Sequence, residues 1–345
     1  MNSHLKTFIV LLIICSFVFM GCSNNGINVS SAEETAVLIE TTDAPEAVKP
    51  TATTEPTATI TPTAVQDIIP CTITFDTNRD GNMEIYSIAP DGSDTVNLTN
   101  NPADDWCPSW SPDGIQIVFT SNRVYEDEGG QFIYIMDADG GNVRRLSPDN
   151  GSDWADWSHD GSQIAYSFKD DIYIINADGS GESLNLTNSP EKESQPAWSP
   201  DGSQIAFLIG EEGHQDIAVM NADGSNVLQI SDDGLVFSIA WTVDGRIFAD
   251  WDNQDFGCHN CVINADGTNI INAGGKGEIQ QYLPFWTLDG ERAEVVEADA
   301  LTGDSEILMI LQNDPENILN LTQNPAADRY PDWPANCGPA GNDGD

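Results

Sequence analysis

A six-bladed β-propeller, all-β and built of four-stranded antiparallel blades, is the fold the sequence predicts, on three observations. The first is a recurring Trp-Ser-Pro-Asp-Gly motif: Trp110 to Gly114, Trp157 to Gly161, Trp198 to Gly202, Trp241 to Gly245, Trp286 to Gly290 and a truncated copy at Trp333, with tryptophans 41 to 47 residues apart. That interval is the length of one propeller blade. The second is another Asp-Gly pair half a period away, at Asp91-Gly92, Asp139-Gly140, Asp178-Gly179, Asp223-Gly224 and Asp266-Gly267. Two tight turns per period imply two hairpins per period, because glycine accepts positive φ and the Asp side chain bonds nearby amides. The third is alternation: runs such as Phe132-Ile-Tyr-Ile-Met136 and Asp171-Ile-Tyr-Ile-Ile175 have the period of short strands, and no helical period competes with them.

Residues 1–22 carry Lys6, an apolar run from Phe8 to Met20 and then Gly21-Cys22. The run is short for a spanning helix and has the form of an export signal. Phe19-Met-Gly-Cys22 resembles the bacterial lipobox, with Phe19 where Leu is usual, which makes Cys22 the expected lipid anchor. The alternative is an ordinary signal peptide or uncleaved anchor with an incidental cysteine. Residues 23–70, centred on Pro50-Thr-Ala-Thr-Thr-Glu-Pro56, have too little apolar surface to offset chain ordering and are expected to form a disordered linker. As a coil it spans about 35 to 40 Å.

Residues 71–337 form the repeat array and 338–345 a flexible tail. Each blade reads as strand A ending at the Trp, strand B, strand C before the second Asp-Gly, and a short strand D. The blades are expected at 71–98 with 329–333, 108–147, 155–187, 196–230, 239–272 and 284–322. The first unit lacks a strand A, and the last unit is followed by an unattached Arg329-Tyr-Pro-Asp-Trp333. Adding that last strand to the first blade removes both open edges. Register then places Cys337 where Gly202 stands in an intact repeat and Cys71 where Ser203 stands, side by side at the point where the ring closes. In an exported protein the pair is an expected disulfide, worth about 4 to 5 kcal/mol through the long loop it closes. Cys258 and Cys261 read as a local disulfide or a lone pair of thiols rather than a zinc half-site, since no second paired motif accompanies them. Cys107 is left over as a small buried hydrophobe.

The chain has 56 Asp and Glu against 12 Lys and Arg, a formal charge of -44, which argues against nucleic acid as a partner. The Asp-Gly turns all lie at one end of the blades. The other end carries the connections from strand B to C and from D to A, with Asp104, Asp105, Asp153, Glu191, Glu193, Asp232, Asp233, Glu278 and Asp328. A face of one sign favours a basic or cation-bridged partner; a generally acidic surface is the plainer reading. Asp76, Asn78, Asp80 and Glu84 match the first half of a calcium loop, but Ser87 stands where its bidentate Glu belongs, and a strand turn explains the same residues. No catalytic set stands out: the histidines past the signal are His159, His214 and His259, and no nucleophile elbow or phosphate loop is present.

The run Ile-Tyr-x-Met-Asp-Ala-Asp-Gly at 133–140, with Pro196 to Phe207, resembles the WD40-like PD40 repeats of TolB-type β-propellers over residues 71–333. The resemblance implies a propeller outside the cytoplasm that binds partners of the cell envelope. TolB carries an α/β domain before its propeller, where this chain has the lipobox-like signal and Thr/Pro stalk. The leading expectation is a noncatalytic, lipid-anchored envelope protein, monomeric, whose propeller binds a protein or glycan. The alternatives are a polysaccharide lyase or hydrolase with a shallow site at the channel mouth, and a structural envelope component.

Overall fold

The computed structural model describes residues 71–124, 129–232, 234–242, 244–253, 258–272, 293–299, 305–311 and 314–334. The expected signal, linker and tail, together with Cys22, Asp233, Glu278 and Cys337, lie outside these residues. The described residues are all-β. Strands β1 (Ile73–Thr77), β2 (Glu84–Ile88) and β3 (Val96–Asn97) open the array. A second sheet follows in β4 (Asp105–Trp110), β5 (Gln116–Ser121), β6 (Phe132–Asp137) and β7 (Arg144–Arg145). The third is β8 (Ser152–Trp157), β9 (Gln163–Phe168), β10 (Asp171–Asn176) and β11 (Leu184–Asn185). The fourth is β12 (Glu193–Trp198), β13 (Gln204–Glu211), β14 (His214–Asn221) and β15 (Leu228–Gln229). The fifth is β16 (Val236–Trp241), β17 (Arg246–Asn253), β18 (Cys258–Asn264) and β19 (Ile271–Asn272). Then come β20 (Ala293–Asp299), β21 (Ser305–Leu311) and β22 (Asp314–Asn320), and finally β23 (Asp328–Asp332), which pairs antiparallel with β1.

The structure therefore has five four-stranded blades, the first ordered β23-β1-β2-β3, and a three-stranded sheet β20-β21-β22. This corrects the expectation of six four-stranded blades. In the blades headed by β4, β8, β12 and β16, the Trp pairs with an Ile six or seven residues later: Trp110 with Ile117, Trp157 with Ile164, Trp198 with Ile205 and Trp241 with Ile247. The Trp286 copy has Arg292 and Ala293 at those distances where the other copies have Ile, and Trp286 itself lies outside the described residues. No strand is paired to the free edge of β20 among the described residues.

The Trp-Ser-Pro-Asp-Gly motif is a turn device. In the first full copy Ser111 Oγ donates to Asp113 Oδ1 at 2.6 Å and accepts from Gln116 N at 2.9 Å, while Gly114 N donates to Ser111 O at 2.8 Å. The same bonds recur at Ser158 with Asp160 and at Ser199 with Asp201. Two donors held on one turn by two short side chains, beside the backbone bond of the turn itself, explain why Ser and Asp recur at this spacing. In the second turn Gly140 has φ +83°, and a Cβ there would stand 2.4 Å from Leu98 O of the preceding blade. Glycine is required at that point both by conformation and by close approach.

The cores lie between successive sheets. Trp110, Ile117, Phe119 and Met136 pack on Ile85; Trp157 and Tyr166 pack on Val118 and Ile135; Trp198 and Phe207 pack on Ala165 and Ile174. Ile307, Met309 and Leu321 pack on Ile73 and Phe75, which brings the three-stranded sheet against the first blade. Each fully buried side chain of this size contributes about 1.5 to 3 kcal/mol.

Candidate functional site

The end of the blades away from the Asp-Gly turns is built by interlocking connections. Asn82 Nδ2 donates to Asn101 O and Ala103 O, both at 2.8 Å, and Met83 N donates to Asp104 Oδ1 at 3.0 Å, so the β2 entry loop is tied to the β3–β4 loop. Gln131 N donates to Asn150 Oδ1 at 2.9 Å in the next blade. These ties hold a loop face whose exposed carboxylates include Asp149, Asp170, Glu191, Glu211, Glu212 and Asp232.

The innermost strands are irregular at one shared position. Cys107, Trp154, Gln195 and Tyr330, each three residues before its Trp, have φ between +49° and +53°, and the pairing slips at each of those strands. Positive φ is uncommon for bulky residues, and a bulge re-aims the side chain it carries. Here it brings Trp154 of β8 and Tyr330 of β23 together edge to face, with ring centroids 5.1 Å apart, two blades removed from each other. Trp106 Nε1 donates to Asp153 Oδ1 at 3.2 Å, and Gln195 Nε2 to Phe237 O at 3.4 Å; Phe237 is half exposed. Aromatic and amide side chains thus gather at the bulged ends of the innermost strands, and sequence reading missed them because four unlike residues share the bulged position.

The expected acids divide into two kinds. Asp105, Asp328 and Glu193, all five residues before their Trp, are buried at the start of strand A. Asp105 is ion-paired with Arg123 at 2.7 Å and Asp328 with Arg79 at 2.8 Å. Each arginine lies over two rings, Arg79 on Phe75 and Tyr86 and Arg123 on Phe119 and Tyr134. Glu193 accepts from Ser189 Oγ at 2.8 Å, and burial pushes its carboxyl above the usual range, as it does for Asp105 against the opposing pull of Arg123. Asp153 is half-buried and accepts from Trp106, Thr120 Oγ1 and Trp154 N. Asp104 is half-buried and tied to Met83 and Asn122, whereas Glu191 and Asp232 face solvent. The sequence pattern did not separate the two kinds, because a residue opening a strand and one closing a loop differ by a single position.

Two further carboxyls stand one residue before the motif Trp, at joints between blades. Asp332 Oδ2 accepts Trp110 N of the next blade, and Asp156 Oδ2 accepts Trp198 N at 2.7 Å while its Oδ1 accepts Ser109 Oγ at 3.2 Å. Burial pushes Asp156 up to about 6; burial, with repulsion from Asp156, pushes Asp332 up to about 7.

The expected calcium oxygens do not converge. Asp76 Oδ2 accepts Cys107 N, Asp80 Oδ2 accepts Tyr86 Oη and Asn97, and Glu84 accepts Asn82, Thr99 and Asn101. Among the described residues no group of three or more His, Cys, Asp or Glu gathers as a metal site. Cys71 and Cys261 are disulfide-bonded, and Cys107 is a buried thiol. Cys258 lies in β18.

Residues 70–171 match the family model described as the TolB beta propeller domain, PD40. A TolB homolog of Chlorobium luteolum is 34% identical over 156 residues, 45% of this chain and 35% of that protein. The chain spans about a third of the curated relatives it matches. Among solved structures, TolB of Acinetobacter baumannii superposes with a TM-score of 0.62 at 15% identity, covering 77% of this chain and 67% of that one. A chain of a nidogen/laminin complex superposes at 0.58 and 12% identity over 77% of this chain and 98% of its own. At such identities the likeness is one of fold.

Proposed function

We propose that this protein is a noncatalytic binding scaffold of the bacterial cell envelope, lying outside the cytoplasm and engaging an envelope protein or glycan with its loop face. The observation that carries this reading is the set of aromatic and amide side chains at the bulged inner strands, Trp106, Trp154, Gln195, Tyr330 and Phe237, with exposed acids Glu191 and Asp232 in the adjoining D to A loops. Aromatic rings bring large contact area at little entropic cost, and the excess negative charge favours a basic or cation-bridged partner. The match to TolB-type propellers supports the assignment to the envelope.

Cys22 is the lipid anchor in this reading, and residues 23–70 are the stalk that holds the 71–337 propeller off the membrane, as a monomer. The bonded state of Cys71 supports its pairing with Cys337, and that of Cys261 supports a local pair with Cys258. Replacing Cys22 with Ser is expected to release the protein from the membrane fraction; unchanged membrane association would remove the anchor from the account.

The test of the scaffold is recovery from solubilised envelopes with the full chain and with a Glu191→Gln, Asp232→Asn, Phe237→Ala variant. Saturable recovery of a defined partner by the wild-type chain, weakened by the variant, is expected. Equal recovery by both would place binding elsewhere, and turnover of a surface polysaccharide by the purified chain would replace the scaffold with a lyase or hydrolase.

A further inference from the structure

The turns that follow the motif Trp in the second, third and fourth blades differ at one place. The residue between Ser and Asp is Pro112, then His159, then Pro200. That residue faces the next blade: a Cβ on Gly161 would stand 3.8 Å from Pro112 Cδ, and one on Gly202 would stand 3.5 Å from His159 Cβ. Beside His159, the crevice between the third and fourth blades opens into a cavity of about 200 Å³. His159, Asp160 and Gln163 line it from the third blade, and Trp198, Asp201 and Ala222 from the fourth. Sites for drug-sized ligands hold about 300 to 1,000 Å³, so this one has room for a single side-chain-sized group.

The lining has a definite chemistry. Asp160 Oδ1 accepts Ser158 Oγ, Ser162 N and Ser162 Oγ at 2.8, 2.9 and 2.7 Å, and Asp201 Oδ1 accepts Ser199 Oγ, Ser203 N and Ser203 Oγ at 2.7, 3.0 and 2.7 Å. None of these bonds uses Oδ2, so each exposed aspartate keeps one oxygen for a group outside its own turn. The same serine donors hold both carboxyls below the usual range, so both are charged at neutral pH. Trp198 is only 8% exposed, and its indole Nε1 has no hydrogen-bond partner among the described residues. Its counterparts Trp157 and Trp241 donate to Ser109 O at 3.2 Å and to Ala197 O at 2.9 Å. Two carboxylates with an open oxygen and a buried donor without an acceptor ask for a ligand that carries a cation and a carbonyl.

We propose that this cavity is a second binding site, for the ammonium or guanidinium group of a lysine or arginine, either free or within a peptide. The cation is held by the two aspartates against the indole, which of all side chains is the strongest cation–π partner. His159 adds a ring nitrogen in the place where proline offers only carbon. The protein satisfies the same combination internally elsewhere: Arg79 lies over the Phe75 and Tyr86 rings and pairs with Asp328 at 2.8 Å. His159, Asp160 and Asp201 are not gathered closely enough to hold a metal ion, which leaves an organic cation as the fitting ligand. The cavity is at the Asp-Gly end of the blades, so its ligand binds independently of a partner on the loop face, and either reading can fail without the other.

The test is nuclear magnetic resonance of the full chain in detergent at pH 7.5, following the Trp198 indole N–H signal, which is identified by its loss in Trp198→Phe. The probes are Nα-acetyl-lysine amide, Nα-acetyl-arginine amide, free lysine and the uncharged Nα-acetyl-norleucine amide. Saturable shifts are expected with the cations, at concentrations about tenfold or more below any response to norleucine. Half-saturation by acetyl-lysine amide below that of free lysine identifies a residue within a peptide as the ligand, and the reverse order identifies the free amino acid. Asn keeps the Oδ1 acceptor that each turn needs, so the double variant Asp160→Asn, Asp201→Asn should fold and lose the preference for lysine over norleucine. No saturable shift with any cation, an equal response to norleucine, or an undiminished preference in the double variant overturns the proposal. Should the double variant not fold, His159→Pro restores the turn of the neighbouring blades, and unaltered lysine binding there overturns it as well.

Discussion

Replacing Arg123 by Met separates two ways in which the loop face could be held together. Arg123 Nη2 stands 2.7 Å from Asp105 Oδ2; the Asp105 side chain is fully buried and that of Arg123 is 15% exposed. The guanidinium also lies 5.2 Å from the Phe119 centroid and 5.1 Å from that of Tyr134. Methionine retains much of the stem and its packing on the rings but leaves Asp105 buried without its cation. Breaking a buried pair from one side costs about 3 to 5 kcal/mol, which for a domain of this size lowers Tm by roughly 6 to 20 °C. Burial already raises Asp105, and Arg123 opposes it; without Arg123 the folded pKa rises further. The extra proton binding then stabilises the variant at low pH and is lost as pH rises, so the deficit against wild type should be largest near pH 7.5 and shrink toward pH 5. Thermal melts of wild type, Arg123→Met, Asp105→Asn and the double variant at both values measure it. A deficit under about 1 kcal/mol at pH 7.5, or one that does not change with pH, would refute the view that the pair holds this strand in place.

Further outcomes follow from the same geometry. Gly140→Ala should destabilise by more than Gly245→Ala in urea unfolding: both have positive φ, costing about 1 to 2 kcal/mol, but only Gly140 would drive a Cβ into Leu98 O. Phe207→Ala, in the fully buried core between the third and fourth blades, should cost about 3 to 5 kcal/mol. Asp201 is held down to about 2 by bonds from the Ser203 backbone and the Ser199 and Ser203 hydroxyls, so its turn contributes stability above pH 4 that is lost as pH falls toward 2; Asp201→Asn should flatten that acid limb.

Much of this architecture could be read from the chain because the repeat is written in residues with one job each. Trp110, Trp157 and Trp198 mark the ends of inner strands, and Asp113, Asp160 and Asp201 mark the turns that follow. The blade count failed where the motif kept its Trp and Asp-Gly but lost the Ile that pairs with the Trp, as at Arg292 and Ala293. The candidate site was less legible. Its organising feature is a backbone conformation at Cys107, Trp154, Gln195 and Tyr330, and no residue type announces it. The burial of Asp105 and Asp328 was hidden for a related reason: each carboxylate has its partner elsewhere in the chain, Arg123 and Arg79, and only the folded register brings them into contact.

The central claim, that partners are bound by the loop face, is tested most directly by hydrogen exchange on the complex recovered from solubilised envelopes. Protection on binding is expected in the connections at 100–104, 147–151, 187–192 and 234–237, with the Asp-Gly turns at 111–115, 138–142, 158–162 and 199–203 unchanged. Protection confined to those turns would put the binding surface on the opposite end of the blades and contradict the account.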